Sequence, residues 1–133
     1  IYCFQEFWFK EDYYQQFKDA FESTHTFHAA KRMCTSEGLL ILIKNDMRVD
    51  STTTYRLSHG STRISLILEV SKADLNFVVA TTHLSFPHGM FSKGIQQDEI
   101  NNLTQRLSSI KNRPIILCGD MNGGEDSAIY NSL

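Results

Sequence analysis

Short apolar runs of strand length alternate along this chain with two stretches of helical period. Ile1-Tyr2-Cys3-Phe4 is aromatic and β-branched and ends in Gln5-Glu6, which predicts a buried strand whose tip turns polar. After it, Tyr14, Phe17 and Phe21 recur at spacings of three and four behind Asp12, the pattern of a helix capped by Asp12 with one apolar face. Thr24 to Met33 reads as a strand wetted on one side. Gly38 then opens Leu39-Leu40-Ile41-Leu42-Ile43, too apolar for any strand with a solvated face. Val49 to Leu57, rich in Thr and Ser, suits an edge strand. Arg63 to Val70 and Leu75 to Ala80 flank Lys72-Ala73-Asp74 and read as a hairpin. Ile95 to Ile110 places apolar residues at 100, 103, 107 and 110 on one helix face. A last strand, Ile115 to Cys118, runs into Gly119-Asp120, and a final helix is expected after Asp126 or Ser127. The sum is one α/β unit with more strand than helix.

Composition narrows the class. The chain has 133 residues, enough for one core, with 41% apolar and 21% charged residues, an ordinary globular balance. Thirteen basic residues against 15 acidic give a net charge of -2, which excludes a broad basic glove for duplex DNA but not a local phosphate patch. No run reaches the roughly 18 apolar residues of a membrane span. Cys3, Cys34 and Cys118 are odd in number and lack metal spacing. Cys3 and Cys118 lie in apolar runs and read as buried, reduced thiols. The expected setting is intracellular, cytoplasmic or nuclear. The chain opens and stops inside apparent elements, so residues 1–133 are expected to be the central portion of one longer domain.

Three apolar strands share a design: Glu6, His83, and Asp120 with Asn122 follow them directly. If those tips lie on one sheet edge, two carboxylates, an imidazole and an amide converge at the kind of crevice where α/β sheets place ligands. The set is rich in hard oxygen donors and free of thiolates, which suits Mg²⁺, with Mn²⁺ as a substitute, rather than zinc. Each residue alone has a plainer reading. Gly119-Asp120 and Asn122-Gly123 are common turn pairs, a terminal glutamate is usually solvated, and a lone histidine is usually structural. Their coincidence points to metal-assisted chemistry on a phosphate ester.

The segments Cys3-Phe4-Gln5-Glu6-Phe7-Trp8, Ala80-Thr81-Thr82-His83-Leu84 and Pro114 to Gly123 resemble, in order and strand context, the endonuclease/exonuclease/phosphatase superfamily. The Gly38 strand and Ser127-Ala128-Ile129-Tyr130 look like its deadenylase-containing branch. The resemblance implies part of a four-layer α/β sandwich, two mixed sheets packed face to face with helices outside. It implies that Glu6 binds the catalytic Mg²⁺ and that Asp120 orients or deprotonates the attacking water. It further implies that Asn122 positions the phosphate or metal, that His83 contacts a non-bridging oxygen, and that Arg63 contacts phosphate. The family also uses an upstream asparagine and a downstream aspartate and Ser-Asp-His, which this sequence lacks. The implied activity is hydrolysis of a phosphate ester in a nucleic acid, a nucleotide, or a lipid or inositol phosphate. A non-catalytic remnant serving as an interaction module, or a plain structural α/β domain, is the alternative.

Overall fold

The computed structural model describes residues 1–133, apart from the side chains of residues 90 and 91. Seven strands form two sheets. β1 (Tyr2–Trp8), β3 (Glu37–Lys44) and β2 (His25–Lys31) make an antiparallel sheet in the order β1-β3-β2. β4 (Arg48–Arg56), β5 (Ile64–Lys72), β6 (Leu75–His83) and β7 (Ile115–Asp120) make a mixed sheet in that order, β7 running parallel to β6. Helix α1 (Glu11–Phe21) covers the first sheet, and helix α2 (Gly89–Ser108) covers the second. This is the expected four-layer arrangement.

The strand period of two explains the layers. Leu39, Ile41 and Ile43 point into the space between the sheets and meet Leu66, Leu68, Val70, Phe77 and Val79 from the facing sheet. Their neighbours Leu40 and Leu42 point the other way, under Phe4, Phe7, Tyr14, Phe17 and Phe21. A strand buried on both faces must be apolar throughout, and all five of Leu39 to Ile43 are buried. On the second sheet's outer face, Ile67, Val78 and Ala80 receive Ile100, Leu103 and Leu107 of α2, the helix stripe read from the sequence. β4 is indeed an edge strand, and β5 and β6 form the expected hairpin, turning at Ala73 with φ 50°.

Four local expectations are corrected. Lys10, not Asp12, is the residue before α1; it makes no side-chain cap, and Asp12 sits in the first turn, where its charge favours the helix dipole. α2 starts at Gly89, well before Ile95. The last helix is only a 3₁₀ turn at Tyr130–Ser132. Cys3 and Cys118 are half-buried, because the groove between β1 and β7 stays open beside them. Among the described residues no helix is long and apolar enough to cross a membrane.

Candidate active site

Three strands from both sheets deliver the site. Parallel pairing of β6 with β7 sets His83 directly beside Asp120, and Thr82 beside Gly119. That pairing is close: a Cβ at Gly119 would lie 2.5 Å from the Thr82 carbonyl oxygen, so only glycine fits there. The chain turns after Asp120 by an Asx bond, in which the Asn122 amide N–H donates to Asp120 Oδ1 at 2.9 Å. Asn122 Nδ2 donates to the Leu84 carbonyl at 2.8 Å, fastening the loop after β7 to the loop after β6.

Glu6 arrives from the other sheet, and not from a strand tip. β1 continues to Trp8, and Glu6 lies in a bulge: Phe4 pairs with Leu40 and Phe7 with Gly38, so two residues of β1 face only Leu39. Glu6 itself has φ 52°, a left-handed conformation that non-glycine residues seldom adopt. The bulge re-aims its side chain toward the second sheet. Next to it, Gln5 Nε2 donates to Thr81 Oγ1 at 2.8 Å, a direct bond between the sheets.

The result is an imidazole held between two carboxylates. His83 Nδ1 lies 3.8 Å from Glu6 Oε1, and His83 Nε2 lies 3.7 Å from Asp120 Oδ2. His83 is 8% exposed, whereas the side chains of Glu6 and Asp120 are 63% and 52% exposed. Burial, followed by the nearby Arg63 guanidinium, pulls the His83 pKa below the ordinary histidine value, against Asp120 and Glu6, which raise it. The ring is therefore neutral at pH 7, and its contacts to the carboxylates join an ion to a dipole rather than pair two ions. Arg63, half-buried, lines a small cavity with His83, Arg32 and Glu37. Burial and Arg32 lower its pKa, yet guanidinium remains charged at any physiological pH.

All five residues named from the sequence thus belong to this region. Glu6, His83 and Asp120 meet directly, Arg63 shares a cavity with His83, and Asn122 braces Asp120 and Leu84 with its own amide nitrogen already engaged. Histidines 25 and 28 are placed elsewhere, His25 against Tyr2 and Phe21 and His28 on Thr26 and Thr52. Two supporting residues escaped the sequence reading. Glu99 of α2 is fully buried and accepts from the Ser85 amide at 2.7 Å and the Ser85 hydroxyl at 2.8 Å. Gln96, one turn earlier, donates to the carbonyls of Met121 and Asn122. Their signal was a Gln and a Glu spaced by three on the apolar side of α2.

Among the described residues no group of three or more His, Cys, Asp or Glu side chains lies close enough to hold a metal ion, so a cation here would depend on water and substrate for most of its ligands. The two exposed carboxylates fit a hard cation that retains water and takes remaining ligands from substrate.

The fold has clear counterparts. The chain superposes on the human Nocturnin catalytic domain, solved with bound sulfate, with a TM-score of 0.82 at 18% identity, covering 97% of this chain and 53% of that one. ANGEL2, a 2',3'-cyclic phosphatase solved with adenosine-2',3'-vanadate, matches with a TM-score of 0.81 at 22% identity, over 97% of this chain and 41% of that one. An endonuclease/exonuclease/phosphatase from Bacteroides vulgatus matches with a TM-score of 0.80 at 16% identity, over 98% and 54%. The chain spans about half the length of these structures. No family sequence model matches it, and no curated protein sequence does. The 133 residues have the endonuclease/exonuclease/phosphatase fold.

Proposed function

We propose that this chain is a portion of one metal-dependent phosphoesterase domain of that superfamily, hydrolysing a phosphate ester by in-line attack of water. The observation that carries the reading is His83 held between Glu6 and Asp120, with residues of both sheets meeting at one open crevice. ANGEL2, with its nucleotide vanadate, supports a phosphate-ester substrate. Glu6 is the residue that would hold Mg²⁺, or Mn²⁺ in its place, with Asp120 across the His83 ring from it. A bound divalent ion supplies charge neutralisation on the phosphate oxygens. The chain's own groups do the rest. Neutral His83 donates an N–H to a non-bridging oxygen, and Arg63 opposes the negative charge from behind it. Asp120, its Oδ1 fixed by the Asn122 amide, orients water and accepts its proton. Asn122 positions Asp120; its side-chain carbonyl oxygen would serve the metal, and the Nδ2 hydrogen not spent on Leu84 would donate to the phosphate. Three free cysteines suit a reducing, intracellular setting.

The test is hydrolysis of bis(p-nitrophenyl) phosphate with Mg²⁺ and with EDTA. Chelation should abolish turnover, and Asp120→Asn or His83→Gln should each lower kcat by about 10²–10³-fold, the usual effect of removing one positioned group. Full activity in EDTA or in Asp120→Asn overturns the mechanism. Little or no turnover is expected of these 133 residues alone, since they lack the family's Asp-His pair; absence of turnover in a longer chain that carries the pair supports the alternative, a non-catalytic interaction module.

A further inference from the structure

The edge strands β1 and β7 border one open groove of about 300 Å³ between the two sheets. Following the strand period of two, Ile1, Cys3 and Gln5 face it from one side, and Ile116 and Cys118 from the other. Register brings the two cysteines level. Gln5 Nε2 donates to Thr81 Oγ1 at 2.8 Å, and Thr81 is the direct partner of Cys118 in the β6–β7 pairing. Cys3, two residues before Gln5 on the same face, is in hydrogen-bond contact with the Cys118 thiol. Both thiols are free, both are half-buried rather than sealed, and no charged side chain lines the groove beside them.

Two thiols that meet from different sheets carry a chemistry that neither has alone. A disulfide needs its sulfurs close and its Cβ atoms turned towards each other, which facing strands supply. Among the described residues β1 pairs only with β3, and β7 only with β6, so a small closing movement breaks no ladder. We propose that Cys3 and Cys118 are an oxidation site, a dithiol that closes to a disulfide across the seam when it meets a small disulfide such as oxidised glutathione. One cysteine thiolate attacks a sulfur of glutathione disulfide and expels one glutathione thiolate. The other cysteine loses its proton to solvent, attacks the protein sulfur of the mixed disulfide and expels the second glutathione. The pair is oxidised by two electrons, and one glutathione disulfide is reduced to two glutathiones. The new bond ties together strands about 115 residues apart in sequence.

The test follows mass and needs neither metal nor hydrolysis. Protein carrying Cys34→Ala, which removes the exposed third thiol, is equilibrated in EDTA with glutathione buffers of rising oxidised-to-reduced ratio, quenched in acid and weighed by mass spectrometry. A parallel series is run in urea above the unfolding midpoint. Folded protein should lose two hydrogens at a ratio at least about 30-fold lower than unfolded protein, the low end of what a native disulfide contributes. Peptide mapping should join Cys3 to Cys118, and the oxidised form should melt about 5 °C higher or more. Cys3→Ala and Cys118→Ala should each take up one glutathione and lose no hydrogens as a pair. The folded-against-unfolded comparison uses the intact pair, so it decides even where a cysteine variant fails to fold. Oxidation no easier in the folded protein than in urea, glutathione on both cysteines without a bond between them, or an oxidised form that melts no higher overturns the proposal.

Discussion

Glu6 shows what a single residue contributes when its backbone is unusual. A carboxylate at φ 52° within a bulge holds a conformation that costs of order 1–3 kcal/mol and persists because the surrounding strands over-determine it. Glu6→Gly should therefore leave the urea midpoint unchanged or higher, while Glu6→Ile, β-branched and disfavoured there, should lower stability by about 1–2 kcal/mol. Neither variant should retain the candidate metal response. Cys3 provides a second residue-level expectation. Burial and the neighbouring Cys118 thiol push its pKa up to about 12. A raised thiol pKa means less thiolate at neutral pH, and thiolate is the species that alkylates. In native protein at pH 8, mass spectrometry should show exposed Cys34 alkylated first and Cys3 last, with Cys3 gaining reactivity only as the pH climbs towards 12.

Elements differ in how much of them the sequence disclosed. The run Leu39 to Ile43 announced a strand buried on both faces, because no wetted strand is apolar at both parities, and β3 is that strand. The stripe at 100, 103, 107 and 110 likewise announced the buried face of α2. Local pattern failed where long-range pairing decides. The bulge at Glu6 depends on which β3 residues face β1, and nothing within Phe4 to Trp8 encodes that register. The closing helix failed for another reason: Ser127-Ala128-Ile129-Tyr130 has turn-forming bonds from Ser127 to Gly124 but only Ile129 to bury, too little for a full helix. For the site, motif order was legible and side-chain duty was not, as Asn122 spends its nitrogen on Leu84. The β6–β7 pairing carries its own prediction. Gly119→Ala places a carbon against the Thr82 carbonyl and should cost about 1–3 kcal/mol by denaturant unfolding, the usual range for overpacking. Because that pairing aligns His83 with Asp120, kcat should fall further than stability alone explains.

At the scale of the whole molecule, two sheets meet along a common seam, with Glu6 on one sheet and Asp120 on the other. A ligand held by both would oppose their separation, and anything that binds only the folded state raises its stability. Mg²⁺ at 100 times its Kd should add about 2.7 kcal/mol, seen as a rise in Tm by scanning calorimetry. Both Glu6→Gln and Asp120→Asn should blunt that rise, whereas an exposed carboxylate remote from the seam, such as Asp74, should not matter when replaced. The seam also has a history within each folding event. Glu6 and Asp120 lie roughly a hundred residues apart in sequence, and the first becomes useful only after β6 and β7 have paired. Such distant contacts close late, since chain entropy is spent before they repay it. A ribosome thus releases Glu6 roughly a hundred residues before Asp120, so the crevice forms only once β7 has joined β6. A partly made or misregistered chain has secondary structure but no crevice between its sheets.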